Sequence, residues 1–95
     1  MTSVNHPSIA TSALTCTSNP EQHEGTLTDG RCFYFRYRWG HADLGVGADP
    51  DTAVDDSVNH QRRIGESGFE GEFATAQQRD AAFAALLTVA AEMGA

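Results

Sequence analysis

Lysine does not occur in this 95-residue chain; its six basic residues are all arginine and stand against thirteen Asp and Glu, for a net charge of −7. So acidic a balance excludes general affinity for nucleic acid or for an anionic membrane, both of which need a broad cationic face. No basic residue precedes Arg31, so the charged start of a secretory signal is missing, and no apolar run is long enough to span a bilayer. A cytoplasmic location without membrane association is therefore expected. Cysteine is also scarce: Cys16 and Cys32 are too few for a disulfide framework, and two free thiols are expected.

Several chemical constellations are missing as well. His6, His23, His41 and His60 are scattered without the i, i+4 spacing of a ligand pair, and no Cys-x-x-Cys occurs. Asp49, Asp51, Asp55 and Asp56 lack the glycine and final glutamate of a calcium loop. The nearest approach to a nucleophilic dyad is Cys32 with His41 or His60, and nothing in the sequence brings them together. The glycines follow no phosphate-loop spacing. No metal, no cofactor and no catalytic residue is expected, and the chain reads as a non-enzyme.

The length suits one small domain with a modest core, which dimerisation or a partner would help to stabilise. Residues 1–22 form a Ser/Thr-rich lead, with room for an edge strand from about Ile9 to Cys16. Residues 23–95 read as a single small α+β domain.

The most informative stretch is RCFYFRYRWGHADLGVG, from Arg31 to Gly47. It alternates with period two, so Phe33, Phe35, Tyr37 and Trp39 share one face of a strand and Cys32, Tyr34, Arg36 and Arg38 the other. Asp29-Gly30 before it predicts a two-residue turn that pairs Leu27 with Cys32, placing Leu27 on the Tyr34 face. Gly40-His41 after it predicts a second tight turn. That turn sets Trp39 against Ala42, Tyr37 against Leu44, Phe35 against Val46, and Arg38 against Asp43.

Beyond the hairpin, Asp49 is placed to cap a helix from Pro50 to about Asn59, with Ala53, Val54 and Val58 inward. An acidic loop with a strand near Val58 is the equal alternative. Arg62 to Gly68 reads as a connector, and Phe69 to Phe73 alternates like a short strand. Thr75 and Gln78 make a capping box for a helix from Ala76 to about Met93, whose Phe83, Leu86, Leu87, Ala90 and Met93 form one stripe. Seven alanines favour that helix intrinsically. An open sheet with one aromatic face has to be covered, and this helix is the strong candidate. The expected fold is α+β: an antiparallel meander of three to four strands with the C-terminal helix on the aromatic face.

Two candidate sites follow. Tyr34, Arg36, Arg38 and His41 place planar guanidinium donors beside a ring, which suits an anionic, nucleotide-like ligand; the competing reading is a solvated face with Arg38 neutralised by Asp43. Gly45 and Gly47 lie on the same face and leave space there for a ligand group or for another copy of the chain. The acidic run of Asp49, Asp51, Asp55 and Asp56 suits a basic partner surface.

The segment GTLTDGRCFYFRYRWGHADLGVG, followed by an Ala-rich C-terminal helix, resembles small uncharacterised proteins of actinobacteria and their phages. The arginine-only composition, typical of GC-rich coding, agrees with such a source. The resemblance implies a short accessory protein that acts in the host-cell cytoplasm and carries no assigned activity. The leading expectation is a non-catalytic acidic interaction module that binds a host protein. The rival is a small homo-oligomer that binds an anionic small molecule through the Arg36/Arg38 face.

Overall fold

Two glycine turns set the registers from which the sheet is built. The computed structural model describes residues 3–17, 20–57, 61–63, 73 and 75–93. Strands β1 (Ile9–Thr17), β2 (Glu21–Leu27), β3 (Cys32–Arg38), β4 (His41–Gly47) and β5 (Gln61–Arg63) form one antiparallel sheet in sequential order. Helix α1 (Pro50–Asp56) and helix α2 (Ala76–Met93) complete the described elements. The expected meander with a C-terminal helix on its aromatic face is the observed architecture, and β5 extends it where a connector was expected.

The first turn is one residue longer than predicted. Gly30 N donates to Leu27 O at 3.0 Å, Leu27 N donates to Arg31 O at 2.8 Å, and Gly30 takes φ 93°. The loop is therefore Thr28-Asp29-Gly30, a three-residue connection with glycine in the left-handed position. Cys32 pairs with Thr26, Phe35 with His23 and Tyr37 with Glu21. A one-residue slip turns every side chain of a strand to the other face. Leu27 consequently leaves the Tyr34 face and joins the core, 3 % exposed, and Glu21 and His23 turn inward with it. Asp29 braces the longer loop by accepting from Arg31 N and Nε.

The second turn corrects the predicted pairing without exchanging the faces. The reversal lies at Trp39-Gly40, with φ 53° and 73°, as a type I′ turn requires. Arg38 pairs with His41, Tyr37 with Ala42, Arg36 with Asp43, Phe35 with Leu44 and Phe33 with Val46. Moving the turn by one residue moves the pairing by two, so Phe33, Phe35 and Tyr37 stay inward. Trp39 leaves their row and is 61 % exposed at the hairpin tip. The shift also gives Asp43 to Arg36, in the body of the sheet, in place of Arg38 near its end.

Of the two readings left open after Gly47, the helix is the one that forms, over Pro50–Asp56. Asp49 caps it by accepting from Thr52 N, Pro50 opens it, and Ser57 closes it on Val54 O. Ala53 is buried, but Val54 points outward, because the short helix rests on the sheet along a narrow contact; Val58 lies outside the described residues. That contact explains two glycines. A Cβ on Gly45 would sit 1.7 Å from Ala53 O, and one on Gly47 would sit 2.7 Å from the Thr52 side chain. The space they leave is filled by the chain's own helix, not by a ligand or a second copy.

Helix α2 starts at the predicted capping box, where Gln78 N donates to Thr75 Oγ1 at 3.0 Å. It covers the opposite face of the sheet. Phe83 meets Phe33 and Phe35 edge-on, each at 5.3 Å between centroids. Phe73 stacks on Tyr37 at 4.3 Å; the rest of the predicted strand from Phe69 lies outside the described residues. Val4, from the Ser/Thr-rich lead, is buried in the same core, and β1 pairs along β2.

Candidate functional site

The type I′ turn brings three of the four predicted ligand residues together. Arg36, Arg38 and His41 line one shallow pocket of about 180 Å³ with Trp39, Asp43 and Gln61. The strands supply this geometry directly: Arg38 lies across from His41, and Asp43 lies between Arg36 on β3 and Gln61 on β5. The backbone register also places the Arg63 position across from His41.

The two arginines have different roles. Arg36 donates to Asp43 Oδ2 through Nη2 at 2.6 Å and through Nε at 3.2 Å, and both side chains are largely buried. Its charge is thereby neutralised. Arg38 lies over the Trp39 ring, with its guanidinium carbon 4.2 Å from the centroid. A stacked guanidinium keeps its N–H donors at the edge of the stack. Among the described residues no carboxylate engages Arg38.

His41 Nδ1 lies 3.0 Å from Trp39 O. A carbonyl only accepts, so the hydrogen sits on Nδ1 and Nε2 is left without a partner among the described residues. Among the described residues, Oδ1 of the pocket residue Asp43 is buried with no hydrogen-bond partner. Buried polar atoms are paired in the large majority of cases, and an exception calls for a cause.

Tyr34 is not part of this pocket. It is buried, and the Arg36 guanidinium lies 5.9 Å from its ring centroid. Burial pushes the phenol above its ordinary value, against the opposing effect of the Arg36 charge.

Two of the four predicted acidic partner residues also hold backbone N–H groups. Asp49 is the α1 cap, and Asp56 Oδ2 accepts from Val46 N at 3.0 Å. Asp51 and Asp55 are exposed on α1, and Asp49 is exposed at its cap. Cys32, paired with Gly47, and His41 sit at opposite ends of the β3–β4 hairpin and form no dyad; His60 lies outside the described residues. Neither cysteine forms a disulfide. Among the described residues there is no group of three metal-ligating side chains, and no helix is long and apolar enough to cross a membrane.

A buried polar chain escaped the sequence reading. Ser3 Oγ lies 2.8 Å from His23 Nδ1, which also accepts from Val4 N at 3.1 Å. His23 Nε2 lies 2.5 Å from Glu21 Oε2, and Glu21 Oε1 accepts from Phe73 N at 3.1 Å. Ser3 Oγ also contacts Ser12 Oγ. The order Ser–His–Glu resembles a charge relay, but its acceptor nitrogen already takes a backbone N–H, and His23 is fully buried. Its evident effect is to tie the N-terminal segment and the Phe73 segment to β2. The signal was present in the sequence: Glu21 and His23 are two apart, hence on one strand face. It becomes legible only once the strand is known to begin at Glu21.

No family model, no curated protein and no solved structure matches the chain.

Proposed function

We propose that this chain is a non-catalytic interaction module that docks on a partner protein through the tip of the β3–β4 hairpin. The observation that carries the reading is Trp39. It is the most exposed of the large hydrophobic residues among those described and takes a left-handed φ of 53°. A bulky side chain in that region is strained, and such strain clusters at binding sites. Tryptophan and arginine are also among the residue types enriched at interface hot spots. Arg38 braces the ring from one side, so the anchor is pre-organised and little rotamer entropy is lost on docking.

The acidic run supports the reading less than the hairpin does, because the carboxylates of Asp49 and Asp56 already hold backbone N–H groups. Asp51 and Asp55 remain as exposed carboxylates on α1, which favours a partner with basic groups of its own. The resemblance to phage-borne accessory proteins makes a host-cell protein the partner class to test first.

The test uses the fact that Trp39 is the only tryptophan in the chain. Binding of a protein purified from host extract on the immobilised chain should blue-shift its fluorescence and shield it from acrylamide. Trp39→Ala should abolish capture and leave the fold unchanged. Capture that survives Trp39→Ala would overturn the proposal.

A second reading, an anion binder at the same corner, is favoured by the gathering of Arg36, Arg38 and His41 around one pocket.

A further inference from the structure

We infer that the hairpin-tip pocket is a phosphate-group site, in which Arg38 holds the anionic oxygens and Asp43 Oδ1 accepts a hydrogen bond from a P–O–H. The inference rests on the docking reading and names the feature that the pocket recognises. It differs from a generic basic patch because the site contains a buried acceptor as well as donors.

Three observations combine. The first is Arg38, fixed against Trp39 at 4.2 Å with its edge donors unengaged by any described carboxylate. Guanidinium forks match the oxygens of phosphate and carboxylate alike. The second is His41, whose Nδ1 donates to Trp39 O at 3.0 Å, so that Nε2 of the neutral ring is an acceptor for a ligand O–H and only the imidazolium donates to an anionic oxygen. The third is Asp43, whose side chain is 5 % exposed and whose Oδ2 is engaged by Arg36 while Oδ1 has no partner among the described residues.

The third observation selects the ligand. An ionised carboxylate only accepts hydrogen bonds, so it would leave Oδ1 unpaired and add a like charge beside it. Sulfate fails for the same reason. A phosphate monoester has a second pKa of about 6 and so retains a hydroxyl in part of its population near neutrality. That hydroxyl donates to Oδ1 while the remaining oxygens accept from Arg38. Oδ1 has no contact with solvent, so the ligand hydroxyl reaches it through a local side-chain movement in the pocket that Asp43 lines together with Gln61. A pocket of about 180 Å³ suits a terminal phosphoryl group, with the remainder of the ligand lying over Trp39.

The experiment titrates the whole chain with inorganic phosphate and with sulfate at about pH 6 and matched ionic strength. Trp39 fluorescence and melting temperature are the readouts. Phosphate should bind and raise the melting temperature, and sulfate should bind at least about tenfold more weakly. Arg38→Ala, at the surface, should weaken phosphate by roughly tenfold without unfolding the chain. Asp43→Asn, which removes the acceptor-only character, should bring sulfate up to the level of phosphate. Because that variant also disturbs the Arg36 pair, Arg38→Ala keeps the test decisive if Asp43→Asn fails to fold. Equal binding of the two anions, or no response to either, would overturn the inference. A phosphoserine peptide and adenosine monophosphate then distinguish a modified side chain of the partner from a free nucleotide. Either ligand outdoing inorganic phosphate supports the site. Failure here, with capture still lost in Trp39→Ala, would leave the docking reading standing and remove the phosphate site alone.

Discussion

Arg36 donates both Nη2 and Nε to the same oxygen of Asp43, at 2.6 and 3.2 Å, and Arg38 two residues on makes no such contact among the described residues. One is a largely buried pair; the other guanidinium rests on a ring at the surface. Removing one partner of a buried pair leaves the other uncompensated, which is strongly destabilising. Arg36→Ala should therefore lower stability by about 2 to 3 kcal/mol, whereas Arg38→Ala should change it by under about 0.5 kcal/mol. Urea midpoints with unchanged m values would measure both, and equal losses would contradict the assigned pairing.

Trp39 and Gly40 make the opposite kind of test. Trp39→Asn relieves a left-handed strain of about 1 kcal/mol and gives up a cation–π contact of about 0.5 to 1 kcal/mol. Its stability should match that of the natural chain while partner capture is lost. Gly40→Ala, at φ 73°, should cost about 1 to 2 kcal/mol.

Gly45 and Gly30 separate close approach from backbone conformation. A methyl at Gly45 meets the Ala53 carbonyl oxygen at 1.7 Å, whereas one at Gly30 meets nothing within 4 Å but sits at φ 93°. Gly45→Ala should cost about 3 kcal/mol or detach α1, and Gly30→Ala only about 1 kcal/mol. Amide exchange across residues 50–57 would show whether α1 has come away.

The α1 cap predicts an acid-range pH dependence. Thr52 N–H and Oγ–H both donate to Asp49 Oδ1 and hold its carboxyl below the ordinary value of 3.8. A group depressed in the folded state contributes stability that is present above its unfolded pKa and lost as pH falls through the folded value. Asp49→Asn keeps a capping oxygen and removes the titration. The slope of stability against pH below about 4 should flatten in this variant, with little change at neutrality.

Glu21 ties three chain segments through His23 and Phe73 N. Glu21→Ala leaves both donors buried and unmatched, and should cost about 3 kcal/mol. The Val4 amide, which donates to His23, should exchange faster than the amides of β3 in this variant.

Much of the candidate site was legible from residue types and periodicity, because strand alternation alone puts Arg36 and Arg38 on one face and Phe33, Phe35 and Tyr37 on the other. What alternation does not supply is phase. The Asp29-Gly30 and Gly40-His41 dipeptides read as two-residue turns, and moving each turn by a fraction of its length reassigns partners along both strands. In the first hairpin the shift was odd and exchanged the faces of β2, sending Leu27, His23 and Glu21 into the core. In the second it was even, so faces survived while Asp43 passed from Arg38 to Arg36.

The sequence by itself determined the features that depend on neighbours a few residues apart: the inward row of Phe33, Phe35 and Tyr37, the Thr75 cap, and the length of α2. Tertiary structure decided the turn phases, the exposure of Trp39 and the Ser3–His23–Glu21 tie. Competing turns differ locally by a small energy, and the choice between them is made by burial and ion pairing across strands that are distant in the chain.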